Sequence, residues 1–307
     1  MLLKQFRSFY ARNYPSDMER QIAYFSIFGG LEWQIDTDID LSELICDIIL
    51  ENYGYLHNEI MSLFLDEAHI SRLLHALAVG DRKIFTAFNK AGLNNGNGGA
   101  ALNYLQTNNI LEIETKQSLI LDNILSNKKI KHQRISNKMR FTQPFLRFWF
   151  YFITPFAKEI EVGNYKNILQ KFQQHKYNYM SLIFEELSQV MLNYYTRDEA
   201  ILSLGSYWAD GIEIDILATT KTNRIYIGEC KWTNHKINKK ELHKILEKCN
   251  KLNIKPSKIF FFSKRGFSKE LGELQNRYLV LFSADSFSSL LKNISQDSLL
   301  PAKISEI

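Results

Sequence analysis

No lysine or arginine occurs between Gln21 and Ser71, a stretch that carries ten carboxylates from Glu32 to Glu67. Such a front repels polyanions, so any nucleic acid has to be met by the later part of the chain. Cysteine is scarce. Cys46, Cys230 and Cys249 are an odd count with no Cys-x-x-Cys pair, which excludes a disulfide framework and a zinc ribbon and points to a reducing cytoplasm. Five prolines and 14 glycines in 307 residues exclude a collagen-like or linker-dominated chain. Long apolar runs are missing too. The most apolar patch, Phe145 to Phe156, is short and contains Arg147, and the opening Met-Leu-Leu-Lys-Gln-Phe-Arg lacks a signal-peptide core and cleavage site. Neither a membrane span nor a leader is expected.

What is present is apolar bulk: 45% hydrophobic residues with 21 Phe and 15 Tyr, enough for more than one core in a globular chain of one to three domains. The net charge of +5 is unevenly spread. Lys128, Lys129, Lys131, Arg134, Lys138, Arg140 and Arg147 form one basic zone without a carboxylate among them, and Trp232 to Arg277 holds twelve Lys or Arg against four Glu. Both zones are candidate anion-binding surfaces. In the second, Lys239, Lys240, Lys244 and Lys248 share a basic helix expected over about Asn238 to Asn250.

Apolar residues three and four apart predict helices over Leu41 to Leu50, capped by Asp40, and over Asn58 to Leu65. Further helices are expected at Ile70 to Val79, Lys83 to Lys90 and Ala100 to Asn108, with an Asn/Gly-rich turn from Asn94 to Gly99 before the last. The alternating run from Ile110 to Glu114 and a returning strand from Lys138 to Thr142 complete a winged-helix pattern with an unusually long wing. The aromatic run after Pro144 reads as a buried helix between two domains, followed by helical pattern over Tyr165 to His175 and Tyr179 to Tyr195. Then the period switches to two. Leu202 to Tyr207, Ile212 to Leu217, Ile225 to Gly228, Ile259 to Phe262 and Leu279 to Phe282 read as strands. The expected fold class is α/β: a helical and winged-helix front over residues 1–140, then a mixed sheet flanked by helices over 141–307.

Two of these strands carry the chemistry. In Gly211-Ile-Glu-Ile-Asp-Ile-Leu-Ala and Ile225-Tyr-Ile-Gly-Glu-Cys-Lys-Trp, a period of two puts Asp215 on the face of Glu213, and Glu229 on the face of Lys231. A hairpin between the strands brings Asp215, Glu229 and Lys231 together. Paired carboxylates beside a cation make a poor core, because each buried charge costs several kcal/mol unless paired or metal-bound. They make a good site for Mg²⁺ or Mn²⁺, held by Asp215 and Glu229, with Lys231 orienting the attacking water. The bland alternative is a salt-bridged strand end. Glu213 reads as a supporting or surface residue, Trp208 and Trp232 as packing, and Cys230 as facing the core.

An Asp followed fourteen residues later by Glu-x-Lys, each at a strand end, resembles the PD-(D/E)xK nuclease superfamily. The surrounding segments Phe184-Glu-Glu, Leu204-Gly-Ser-Tyr-Trp208, Gly228-Glu-Cys-Lys-Trp232 and Phe262-Ser-Lys-Arg-Gly-Phe267 are similar to the nuclease-like domain that follows the ATPase module in archaeal and bacterial ATPases of the AAA+/STAND type. Arg140-Phe-Thr-Gln-Pro-Phe-Leu-Arg-Phe-Trp-Phe150 resembles the segment leading into that domain. Phe28-Gly-Gly-Leu, Tyr53-Gly-Tyr and the Leu73-to-Gly80 helix resemble the family's lid remnant and winged helix.

The resemblance implies a restriction-endonuclease-like sheet and metal-dependent cleavage of DNA or RNA. It also implies a further acid from the preceding helix, by position Glu185, with Glu186 as the alternative. The departure is large, since no Gly-x-x-x-x-Gly-Lys-Ser/Thr occurs and the chain is not expected to hydrolyse ATP. A second copy of the chain or a separate ATPase is the expected protein partner. Two other function classes stand beside the nuclease: a catalytically inactive DNA-binding regulator, and an interaction module whose acidic front docks on a separate ATPase.

Overall fold

The computed structural model describes residues 1–64, 68–114, 137–209 and 211–300. Helices α1 (Leu2–Asn13) and α2 (Met18–Phe28) open the chain. Asp17 caps α2 by accepting the Arg20 N–H at 2.8 Å, and Phe25 takes the edges of Phe6 and Phe9 at centroid distances of 5.2 and 5.9 Å. Asp40 caps α3 (Leu41–Leu44) as expected, and the helix continues as a π-helical turn over Ile45–Leu50. The next helix, α4 (Tyr53–Ser62), begins five residues ahead of its expected start.

Helices α5 (Ala68–Val79), α6 (Ile84–Ala91) and α7 (Asn95–Thr107) precede β1 (Leu111–Glu114) and β2 (Lys138–Phe141). The two strands pair antiparallel, with Leu111 opposite Phe141 and Glu114 opposite Lys138. One expectation is corrected here: the Asn/Gly tract is helix, not turn. Asn94 caps α7 by accepting the Asn97 N–H at 2.8 Å. Gly98 lies inside α7 against Phe88, where an added Cβ would stand 2.7 Å from ring carbons. Its small size permits close packing of α7 on α6 rather than a turn.

Pro144 starts α8 (Pro144–Phe148), which passes into a π-helical turn over Trp149–Ile153, with Phe148, Trp149, Phe150 and Phe152 fully buried. After α9 (Ala157–Glu161) comes α10 (Lys166–Tyr195), a single helix of 30 residues where the apolar pattern indicated two. The pattern lapses from Gln173 to Asn178, where nothing is buried, but no glycine or proline interrupts the backbone there.

Five strands form the mixed sheet: β3 (Ile201–Ala209), β4 (Ile212–Thr220), β5 (Ile225–Lys231), β6 (Lys258–Ser263) and β7 (Leu279–Ser283). They lie in chain order, β3, β4 and β5 antiparallel and β5, β6 and β7 parallel. The parallel steps need crossovers, supplied by α11 (Lys239–Lys251) and by the stretch containing α12 (Lys269–Gly272). The α/β class with a helix-flanked mixed sheet is therefore as expected.

The two faces of the sheet are covered by different helices. On one, Phe184 of α10 packs on Trp232 at 5.0 Å and on Phe287 at 5.3 Å. On the other, Ile245 and Cys249 of α11 join Leu217, Ile227 and Phe261. The core on the α10 side is continuous from Phe6 to Leu290, so the N-terminal helices and the sheet share it. Among the described residues no helix is long and apolar enough to cross a membrane.

Candidate active site

β4 and β5 form the expected hairpin, and their ladder runs from Thr219 opposite Ile225 to Ile216 opposite Gly228. Gly228 allows the strands to close there, since an added Cβ would lie 3.0 Å from Ile216 Cβ. The next residues outward are Asp215 and Glu229. Beyond the last pair the strands use side chains in place of the ladder: the Cys230 N–H donates to Asp215 Oδ2 at 2.8 Å. The strict alternation of β4 also breaks at this point, because Ile214 and Leu217 join the core on the α11 side while Ile216 and Ala218 join the other.

Glu229 is buried and holds a lysine on each oxygen, Lys231 Nζ at 2.6 Å on Oε1 and Lys248 Nζ at 2.9 Å on Oε2. Burial alone would raise its pKa, but the two ammonium groups prevail and hold the carboxyl below its ordinary value. Lys231 is held up in turn by Glu229, against burial.

Asp215 has the opposite balance. Burial, then the charge of Glu229, pushes it up to about 7, against the Cys230 N–H and the more distant lysines. Glu185, reaching in from α10, is pushed up to about 8 by burial and by Asp215. Three carboxylates thus act on one another, and only Glu229 has its charge matched by direct contacts with cations. Cys230 turns its side chain into the core as expected, and burial raises its thiol pKa further.

Glu186, the alternative to Glu185, is buried with its Oε1 at 3.6 Å from Arg140 Nε, and belongs to a second network. There Glu114 accepts from Arg82 Nη1 at 2.7 Å, from Arg140 Nη2 at 2.9 Å and from the Ser206 hydroxyl. Burial would raise Glu114, but the two arginines hold it down at about 2. Arg140 also donates to Gln189 Oε1 at 3.0 Å, and Gln189 Nε2 donates to the Asp215 carbonyl at 3.3 Å.

The basic zones need correction. Lys138 is buried, paired with Glu213 at 2.6 Å and set over the Trp208 ring at 4.6 Å; Arg140 is committed to Glu114; Arg147 is buried, donating to the Tyr179 carbonyl at 2.9 Å. Charge sign alone could not reveal that their partners lie far away in sequence. Lys128, Lys129, Lys131 and Arg134 lie outside the described residues.

On α11, Lys239, Lys240 and Lys244 are exposed, and Lys244 pairs with Glu241 at 2.6 Å. Lys248 is a second correction: it belongs to the carboxylate site rather than to the outer face. The one available signal is its place beside Cys249 and three residues after Ile245, both buried, on the inner edge of the helix. Gln189, uncharged within a long helix, gave no signal.

The donor set fits a hard divalent cation of the Mg²⁺ type. Its donors are all oxygen, two carboxylates meet at one point, and Asp215 carries charge that its neighbours do not match; Mg²⁺ is commonly held by one or two carboxylates together with waters and substrate phosphate. Among the described residues no group of three or more His, Cys, Asp or Glu is arranged to hold a metal. The fit is therefore that of a two-carboxylate site, not an all-protein cage. A cation at Glu229 would share its oxygens with the two ammonium groups or displace one of them.

A family model matches residues 149–245. It describes archaeal and bacterial proteins of unknown function, DUF234, and the matched third of the chain contains Glu185, Asp215, Glu229 and Lys231 but ends before Lys248. No curated protein matches. Among solved structures, Can2 from Sulfobacillus thermosulfidooxidans, in complex with cyclic tetra-adenylate, is similar at 18% identity with a TM-score of 0.28. That match covers 82% of this chain and about half (53%) of the Can2 chain.

Proposed function

We propose that the chain is a metal-dependent nuclease that hydrolyses phosphodiester bonds in DNA, or in RNA, with its site at Asp215, Glu229, Lys231 and Glu185. The observation that carries this reading is the electrostatic imbalance at the end of the β4–β5 hairpin. Burial and the charge of Glu229 raise the Asp215 pKa, burial and the charge of Asp215 raise that of Glu185, and a strand end built only for stability has no use for like charges in a semi-buried position. Asp215 and Glu229 would hold Mg²⁺ or Mn²⁺. Such an ion, when bound, polarises a phosphoryl oxygen and lowers the pKa of water.

The rest falls to the chain's own groups. Glu229 anchors Lys231, which keeps its proton and is placed to orient the attacking water and to offset charge growing on the phosphate. Glu185 supports the site from α10. In this reading α5 to α7 with β1 and β2 form a winged helix, α11 tracks phosphates through Lys239 and Lys240, and the Lys- and Arg-free front meets a protein partner such as a separate ATPase. The similarity to the portion of AAA+/STAND ATPases that follows the ATPase core supports this arrangement.

The test is cleavage of single- and double-stranded DNA and RNA with Mg²⁺ or Mn²⁺, with chelator and Asp215→Ala as controls. Cleavage that needs both the metal and Asp215 supports the reading. Nucleic-acid binding without cleavage under any metal condition replaces it with that of an inactive binding protein.

A further inference from the structure

Gln189 lies on α10 one turn beyond Glu185, is 8% exposed, and touches two separate parts of the molecule. Its Nε2 donates to the main-chain carbonyl of Asp215 at 3.3 Å, and its Oε1 accepts from Arg140 Nη2 at 3.0 Å. The amide cannot be turned over, because that would set its NH₂ against the guanidinium and its oxygen against a carbonyl. Arg140 is itself fixed. It extends from β2 to Glu114 on β1 at 2.9 Å, and the second oxygen of that carboxylate holds Arg82 at 2.7 Å. Glu114 is 4% exposed and each of its oxygens accepts from an arginine, so the network is geometrically committed.

Asp215 needs such support. It stands just outside the last β4–β5 pair, Ile216 with Gly228, so the ladder on that side no longer sets its main chain. We infer that Gln189 is a positioning residue of the carboxylate site: through it, the Arg82–Glu114–Arg140 network of the two-stranded unit holds the Asp215 main chain and so places its carboxylate. Neither Gln189 nor Arg140 touches the reacting atoms. Groups that orient a metal ligand from behind typically change metal affinity or rate by about 10- to 100-fold when removed. The inference rests on the reading of Asp215 as a metal ligand, and two readouts keep them separable.

The first readout is independent of metal. The Cys230 N–H donates to Asp215 Oδ2 at 2.8 Å, so hydrogen exchange at that amide reports where the carboxylate sits. The second is Mn²⁺ affinity by titration. Gln189→Leu is expected to speed Cys230 exchange about tenfold or more while leaving Ile227, inside the ladder, protected, and to weaken Mn²⁺ binding about tenfold. If the leucine variant does not fold, Gln189→Met, unbranched like glutamine, takes its place. A glutamine that only packs would lower the melting temperature and leave local exchange and metal affinity alone; that result overturns the inference. If Asp215→Ala binds Mn²⁺ as tightly as wild type, the metal reading fails, and Cys230 exchange still decides whether Gln189 positions Asp215.

Discussion

Cys230 gives its main-chain N–H to the Asp215 carboxylate at 2.8 Å while its thiol is buried toward α10. The same three-residue stretch therefore supports the acid from β4 with its backbone and presents Glu229 and Lys231, the residues on either side, to the site. One strand end supplies a carboxylate, a cation and a fixed N–H.

The carboxylates should cost the fold stability at neutral pH. Asp215 and Glu185 titrate at about 7 and about 8, above ordinary carboxylates. Their charged forms therefore penalise the native state most above about pH 8, and the penalty fades as pH falls toward the ordinary carboxylate range. Asp215→Asn and Glu185→Gln are each expected to raise stability by roughly 1–3 kcal/mol at about pH 8, with less gain near pH 6. Glu229→Gln, which strips two lysines of their partner, should lower it. Thermal melts of the three variants at both pH values check this, and a melting temperature for Asp215→Asn below wild type at pH 8 would contradict it.

Glu114 works with the opposite sign. Its carboxyl is held at about 2, so its contribution is complete above the ordinary carboxylate pKa and is lost as pH falls through that value toward 2. A displacement of that size corresponds to about 3 kcal/mol. Glu114→Gln should destabilise the protein at pH 7 by about 3–5 kcal/mol, because it leaves Arg82 and Arg140 without their counter-charge. Acid titration followed by circular dichroism should also show a shallower loss of structure below about pH 4 in the variant.

Nucleic-acid affinity should fall steeply with salt, with a logarithmic slope of roughly one unit for each phosphate that a lysine or arginine neutralises. Charge reversal at Lys239 and Lys240 is expected to flatten the slope, and reversal at Lys244, already paired with Glu241, to do so less. An unchanged slope in the Lys239/Lys240 double variant removes α11 from the footprint.

Legibility from sequence followed the range of the interactions. Glu229 and Lys231 stand two residues apart on a strand, and the hairpin bringing Asp215 to them is closed by the short link between β4 and β5, so a local pattern was enough. Lys138 paired with Glu213, Arg140 with Glu114, and Lys248 with Glu229 are contacts across different elements, invisible to a count of charges along the chain. Gly98 is ambiguous in sequence because glycine serves both turns and close helix packing, and only Phe88 decides between them. The order of helices and strands was readable from periodicity. The 30-residue span of α10 was not, because its exposed middle carries no apolar repeat.

The central claim is that Asp215 and Glu229 bind the metal and Lys231 acts on the reaction, and the most direct measurement is cleavage rate against Mn²⁺ concentration for wild type, Asp215→Ala and Lys231→Met. Asp215→Ala is expected to lose metal affinity and cleavage together. Lys231→Met should retain much of the affinity and fall about 10²-fold in rate at saturating metal. Wild type that binds Mn²⁺ no better than Asp215→Ala and cuts no substrate would contradict the claim.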